Sequence, residues 1–142
     1  MKTHLVLLGS AITALSCSSG PSLPENTQLV VATQQPTYSP GDNVVVSFTN
    51  TSATALLYLS RCYGFLERRS AGAWITIAPA SGDIPCRDIA EALAPGSTVT
   101  AAWPLSPSLE PGMYRYRFTS ISDSTGKPLP EAWRVSNTFT VT

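Results

Sequence analysis

Three cysteines, Cys17, Cys62 and Cys86, and one histidine, His4, are the residues of this 142-residue chain with the sharpest chemistry. Residues 5–15 (LVLLGSAITAL) form an apolar run soon after Lys2. It is shorter than the ~20 residues that cross a bilayer and suits the core of a signal peptide. His4 belongs to that segment, so processing leaves a chain without histidine. Ser-His-Asp and Cys-His nucleophiles, histidine-ligated zinc and blue copper all need an imidazole and are excluded. Two cysteines alone cannot complete a thiolate metal site, so neither a metal nor a cofactor is expected. Lys127 becomes the sole lysine and lies in the turn Asp123-Ser124-Thr125-Gly126-Lys127, where it reads as a solvated residue, not as the base of a Ser-Lys dyad. Glu67, Asp83, Asp88 and Glu91 are the candidates for a glycosidase-like carboxylate pair. Solvated loop carboxylates are the commoner arrangement, and the expectation is no enzyme.

The apolar run ends in Ala14-Leu15-Ser16-Cys17, which resembles a bacterial lipobox, with Ala14 at the position usually held by Leu. The resemblance implies cleavage before Cys17 and lipidation of its sulfur with acyl chains such as palmitate. The partner is then the lipid bilayer, and a pair of chains anchors stably where one is marginal. Ser18 resembles the outer-membrane sorting pattern of diderm bacteria, so the expected location is the cell envelope, at the outer membrane if the source is a diderm. Residues 17–28 carry the lipidated cysteine and a polar, proline-containing tether. With Cys17 acylated, Cys62 and Cys86 remain as an even pair in an oxidising compartment and are expected to form a disulfide. Closing that loop of about 25 residues constrains the unfolded chain by roughly 3 kcal/mol in the entropy model. The spacing is not that of a close redox pair.

Positioning falls to short strands. The chain has 34 Ser and Thr, 12 Pro and 9 Gly but only 13% charged residues, a composition of strands and turns. Nine basic and nine acidic side chains balance, which excludes a nucleic-acid binder relying on a basic face. Loss of Lys2 leaves the mature chain one charge to the acidic side. Period-two alternation predicts strands over residues 29–33, 43–50, 55–62, 65–69, 74–77, 97–103, 114–119 and 135–141. Val44, Val46 and Phe48 share a face, as do Val99, Ala101 and Trp103. Tyr114, Tyr116 and Phe118 alternate with Arg115 and Arg117, and Val135, Asn137, Phe139 and Val141 are expected on one side of the last strand. Residues 55–62 are apolar on both faces and suit a central strand. Ser70-Ala71-Gly72-Ala73 reads as a hairpin turn. Pro40-Gly41, Pro95-Gly96 and Pro111-Gly112 have the chemistry of type II turns, each before a strand. Residues 88–93 (DIAEAL) are the one helical hint, expected to be a surface loop or a short helix. The fold class is therefore all-β, a sandwich of about 7–9 antiparallel strands, or a small barrel.

Four motifs, in order, are similar to bacterial immunoglobulin-like domains. Tyr38-Ser39-Pro40-Gly41-Asp42 with the strand running to Asn50-Thr51 looks like the second strand. Phe65-Leu66-Glu67-Arg68-Arg69 before Ala71-Gly72-Ala73-Trp74 resembles the middle hairpin. Leu93-Ala94-Pro95-Gly96-Ser97 matches the turn before the fifth strand, and Leu109-Glu110-Pro111-Gly112-Met113-Tyr114-Arg115 the entry to the penultimate one. The resemblance covers residues 29–142 and implies an immunoglobulin-like sandwich with Tyr114 in a tyrosine-corner role. The insertion between Cys62 and Cys86 and the stretch 120–130 depart from a minimal sandwich.

Trp74 and Trp103 are expected in the core. Trp133 is placed at a strand entrance or as an exposed recognition edge. Arg61, Arg68, Arg69, Arg115 and Arg117 are candidates for one basic stripe, so Trp133, Arg115, Arg117 and Arg68 are the recognition candidates. The expected function is a lipid-anchored, non-catalytic module for envelope structure or for binding another envelope protein. The alternatives are a small proteinase inhibitor presenting the 64–85 loop and, third, a carboxylate-dependent hydrolase.

Overall fold

Val44, Val46 and Phe48 point inward from Asn43–Asn50 while Val45, Ser47 and Thr49 point outward, and this alternation gives a strand one buried face. The same logic repeats along the computed structural model, which describes residues 27–59, 64–79 and 89–142. The expectations for residues 1–26 including Cys17, for Arg61, Cys62, Asp83, Cys86 and Asp88, and for the part of the 64–85 loop beyond Pro79 lie outside those residues. The described chain is all β, with a single turn of 3-10 helix at Glu131–Trp133. In chain order the strands are β1 (Leu29–Thr33), β2 (Thr37–Tyr38), β3 (Asn43–Asn50), β4 (Leu56–Leu59), β5 (Gly64–Ser70), β6 (Ala73–Pro79), β7 (Ala90–Leu93), β8 (Thr98–Pro104), β9 (Gly112–Phe118), β10 (Ile121–Asp123) and β11 (Phe139–Val141).

Two sheets form the sandwich. One has the order β1-β3-β8 and the other β2-β11-β9-β5-β6. They face each other through aromatic side chains: Phe48 of β3 meets Phe118 of β9 edge-to-face at 4.7 Å between ring centres, and Trp103 of β8 lies 5.6 Å from Tyr116. Val44, Val46, Tyr114, Tyr116 and Phe139 are almost wholly buried around them. Each such side chain removes enough apolar area from water to contribute about 2–3 kcal/mol. A third sheet has the order β10-β4-β7, tied to the first where Asn50 of β3 donates to the Leu93 carbonyl of β7, and β4 is its central strand, as the two-sided apolar pattern suggested.

Several expectations are corrected. Residues 90–93 are not helical: Leu56, Leu57 and Tyr58 of β4 pair with Leu93, Ala92 and Glu91, and that pairing overrides a local helix preference too short to nucleate alone. The sheets are not wholly antiparallel, because β2 runs parallel to β11. After β1 the chain crosses at Pro36 to the opposite sheet, where the Pro36 carbonyl accepts from Thr140 N–H at 2.8 Å. The last expected strand is interrupted. Phe139 and Val141 face the core, but Asn137 turns outward to Thr33, whose N–H it accepts at 2.7 Å. Val135 makes only a single bridge, to Arg117. At the Pro-Gly pairs, Gly41 and Gly96 hold φ of 89° and 70°, and Asp42 N–H and Ser97 N–H close the two turns onto Ser39 and Ala94. Gly112 is different. It opens β9 with ordinary backbone, and a Cβ there would come within 3.1 Å of Arg68 Nε, so the glycine gives the Arg68 side chain a close approach and does not serve a turn.

Candidate recognition face

The two-residue turn Ala71-Gly72, with φ of 45° and 85°, sets the β5–β6 register so that Arg69 lies opposite Trp74 and Glu67 opposite Thr76. A type I′ turn demands positive φ at both central residues, and glycine meets it without strain. On the other side of β5, Phe65 pairs with Arg117 and Glu67 with Arg115. Alternation then carries Phe65, Glu67, Arg69, Trp74, Arg115 and Arg117 to the outer surface of the five-stranded sheet.

These side chains interlock. Arg115 Nε donates to Glu67 Oε2 at 2.7 Å, and Arg117 Nε donates to Glu67 Oε1. Arg115 also stacks its guanidinium over Trp74 at 4.4 Å, Arg69 covers the same ring at 5.3 Å, and Arg117 covers Phe65 at 5.1 Å. The outward-pointing Glu67 is consequently only 4% exposed. Burial alone would raise its pKa. The hydrogen bonds and charges of Arg117 and Arg115 outweigh that and hold the carboxyl below its ordinary 4.5, so at neutral pH it accepts and has no proton to give. Three guanidinium groups against one carboxylate leave the face positive. Each exposed cation–π contact contributes about 0.5–1 kcal/mol.

The sequence candidates are thus divided. Arg115 and Arg117 are on this face. Arg68 is not: it points to the inner side of β5, where NH1 pairs with Glu110 and NH2 donates to the Pro111 carbonyl at 3.2 Å. The single stripe is therefore corrected, since successive residues of a strand face opposite ways. Trp133 lies apart, in the 3-10 turn, half-buried against the core. Trp103 fills the core as expected, but Trp74 does not, because the hairpin register puts it among the arginines. Arg69, a candidate for the stripe, is on this face too, whereas Trp74 and Phe65 are the residues of the face that strand alternation alone did not single out. The position of the Ala71-Gly72 turn was the available signal.

Glu67 and Glu91 belong to different sheets. Glu91 Oε2 accepts from the Tyr58 hydroxyl at 2.8 Å, and burial followed by that carboxylate pushes the Tyr58 pKa up to about 12. This pair lines a mixed polar and apolar cleft of about 240 Å³ together with Phe48, Trp103 and Phe118. Residues 64–79, the described part of the proposed inhibitor loop, are the β5–β6 hairpin itself. Among the described residues no group of His, Cys, Asp and Glu could hold a metal ion.

No family model and no curated protein matches the chain. Among solved structures, it is similar to the Pseudomonas fluorescens alkylpurine DNA glycosylase AlkC bound to DNA containing an abasic site analog, with 11% identity and a TM-score of 0.41. That match covers 82% of this chain but only 31% of the glycosylase. It is also similar to the ASH / PapD-like domain 7 of human CEP192, with 13% identity, a TM-score of 0.36, and 92% and 94% of the two chains covered. The sandwich described above stands on its own strand pairing.

Proposed function

We propose that this chain is a lipid-anchored protein of the bacterial envelope whose immunoglobulin-like sandwich is a non-catalytic module for binding another envelope protein. The observation that carries the binding role is the outer face of β5, β6 and β9, where Arg69, Arg115 and Arg117 are held in place by Glu67, Trp74 and Phe65. Pre-ordered arginine and tryptophan side chains lose little rotamer freedom on contact, which is what favours them at binding surfaces. The anchor rests on Ala14-Leu15-Ser16-Cys17 after the apolar run of residues 5–15. A disulfide between Cys62 and Cys86 ties the start of the hairpin to the segment that follows it.

Cell fractionation tests the anchor. The wild-type chain partitions with membranes and incorporates labelled palmitate, and Cys17→Ala moves it to the soluble fraction without label. Unchanged partitioning of the variant overturns the anchor.

A further inference from the structure

Among the described residues β6 is the edge of its sheet, hydrogen-bonded to β5 and to no other strand. Alternate residues of such a strand turn their N–H and C=O groups outward, an open template for another strand. Edges are blunted by charge, proline or bulges. β6, AWITIAP, has no charged residue, although it ends in Pro79 and its ladder with β5 shifts register opposite Leu66–Glu67, so the regular stretch is residues 73–76, whose β-branched and aromatic content favours further pairing. On its inner side Ile75 is 49% and Ile77 45% exposed. Beneath that side runs a groove of about 330 Å³ lined by Arg68, Ile77, Leu109, Glu110 and Tyr114. Its outer side carries Trp74, with the guanidinium groups of Arg69 and Arg115 over the ring.

We propose that β6 accepts an extended segment of a partner protein as a further strand. The segment alternates apolar residues, packed on Ile75, Ile77 and the groove, with acidic residues directed at Arg69 and the Trp74 side. Side chains of adjacent strands on one sheet face lie about 4.5–5.5 Å apart at Cβ, so the partner's outward residues come beside Trp74 and within reach of Arg69. The charge preference follows from the three guanidinium groups on this face against the single carboxylate of Glu67. Main-chain hydrogen bonds supply affinity in such strand addition and the alternating side chains supply selectivity. The inference deepens the binding-module reading by giving it a contact and a ligand chemistry.

The test uses the full chain purified in detergent and a fluorescein-labelled peptide that alternates valine with aspartate, followed by anisotropy and tryptophan fluorescence. The acidic peptide binds saturably, and its affinity falls about tenfold in Ile75→Lys and again in Arg69→Glu. Both positions are exposed, and thermal melts verify that the variants remain folded. Ile89→Lys, an exposed apolar site elsewhere, leaves binding unchanged. Absence of saturable binding, or equal binding of a peptide alternating valine with lysine, overturns the proposal. So does a dimer in light scattering that Ile75→Lys dissolves, because a second copy then fills the edge. Failure of the Cys17→Ala fractionation would remove the anchor and leave this titration untouched.

Discussion

The hydroxyl of Tyr114 donates a 2.6 Å hydrogen bond to the carbonyl of Glu110, across the corner that leads into β9. This is the tyrosine-corner contact that the sequence resemblance implied. Burial raises the Tyr114 pKa, so the group remains a donor throughout the physiological range. Arg68 fastens the same corner from the other side by donating to the Glu110 carboxylate and the Pro111 carbonyl. Tyr114→Phe keeps the ring in the core and removes only the donor. Urea denaturation is expected to show a loss of about 1–2 kcal/mol, with an unchanged dependence on denaturant concentration. A variant as stable as wild type would refute a structural role for the bond.

Asn50 turns the chain from β3 to β4. Its side chain is fully buried, donates to the carbonyls of Thr54 and Leu93 at 2.8 Å each, and accepts from the backbone and hydroxyl of Ser52. Asn50→Ala strands those carbonyls and should destabilise the sandwich by about 3 kcal/mol, read as a lowered melting temperature. Asn50→Asp, which cannot donate at neutral pH, is expected to fail as well. A surface substitution such as Thr51→Ala is expected to have a much smaller effect.

Glu67 confers a pH dependence of definite sign. Its folded pKa lies below the ordinary 4.5, so its contribution is complete above that value and is lost as pH falls through the folded pKa. Asp123 acts in the same direction, held low by the Thr125 hydroxyl and by backbone N–H groups of Lys127 and Thr125, so acid sensitivity of the wild type alone does not isolate Glu67. Glu67→Gln does. It should be less stable than wild type by about 1–2 kcal/mol at neutral pH, with the difference shrinking below pH 4.5. A difference that stays constant down to strong acid would show that the arginines do not depend on the charge.

The proposed bridge between Cys62 and Cys86 is read directly by mass spectrometry of exported protein prepared without reductant. Neither position is expected to react with an alkylating agent. Labelling of both cysteines would overturn the assignment.

How much of this was legible in the sequence depends on the range of the interactions. The alternation of Tyr114, Tyr116 and Phe118 with arginine places β9 without reference to any neighbour, and Pro40-Gly41 and Pro95-Gly96 encode their turns locally. What was missed is nonlocal. Residues 90–93 become a strand only because β4 lies alongside. Thr37 and Tyr38 are too few to show a period. Asn137 breaks the last strand because Thr33, near the other end of the domain, needs its amide. The candidate face was half legible: Arg115 and Arg117 follow from alternation, whereas Trp74 required the hairpin register, and a large aromatic taken without it is assigned to the core.

Among the described residues β2 has one strand neighbour, β11, with Thr37 and Tyr38 paired to Thr140 and Val141. One of the first segments of the domain to appear therefore waits for one of the last. A chain delivered residue by residue, from a ribosome or through a translocation pore, can assemble β5, β6 and β9 as they emerge but cannot complete the five-stranded sheet until residues 139–141 are free. Pairings of such long sequence separation are slow to form. The parallel β2–β11 pairing is thus expected to be among the last contacts of the five-stranded sheet to form.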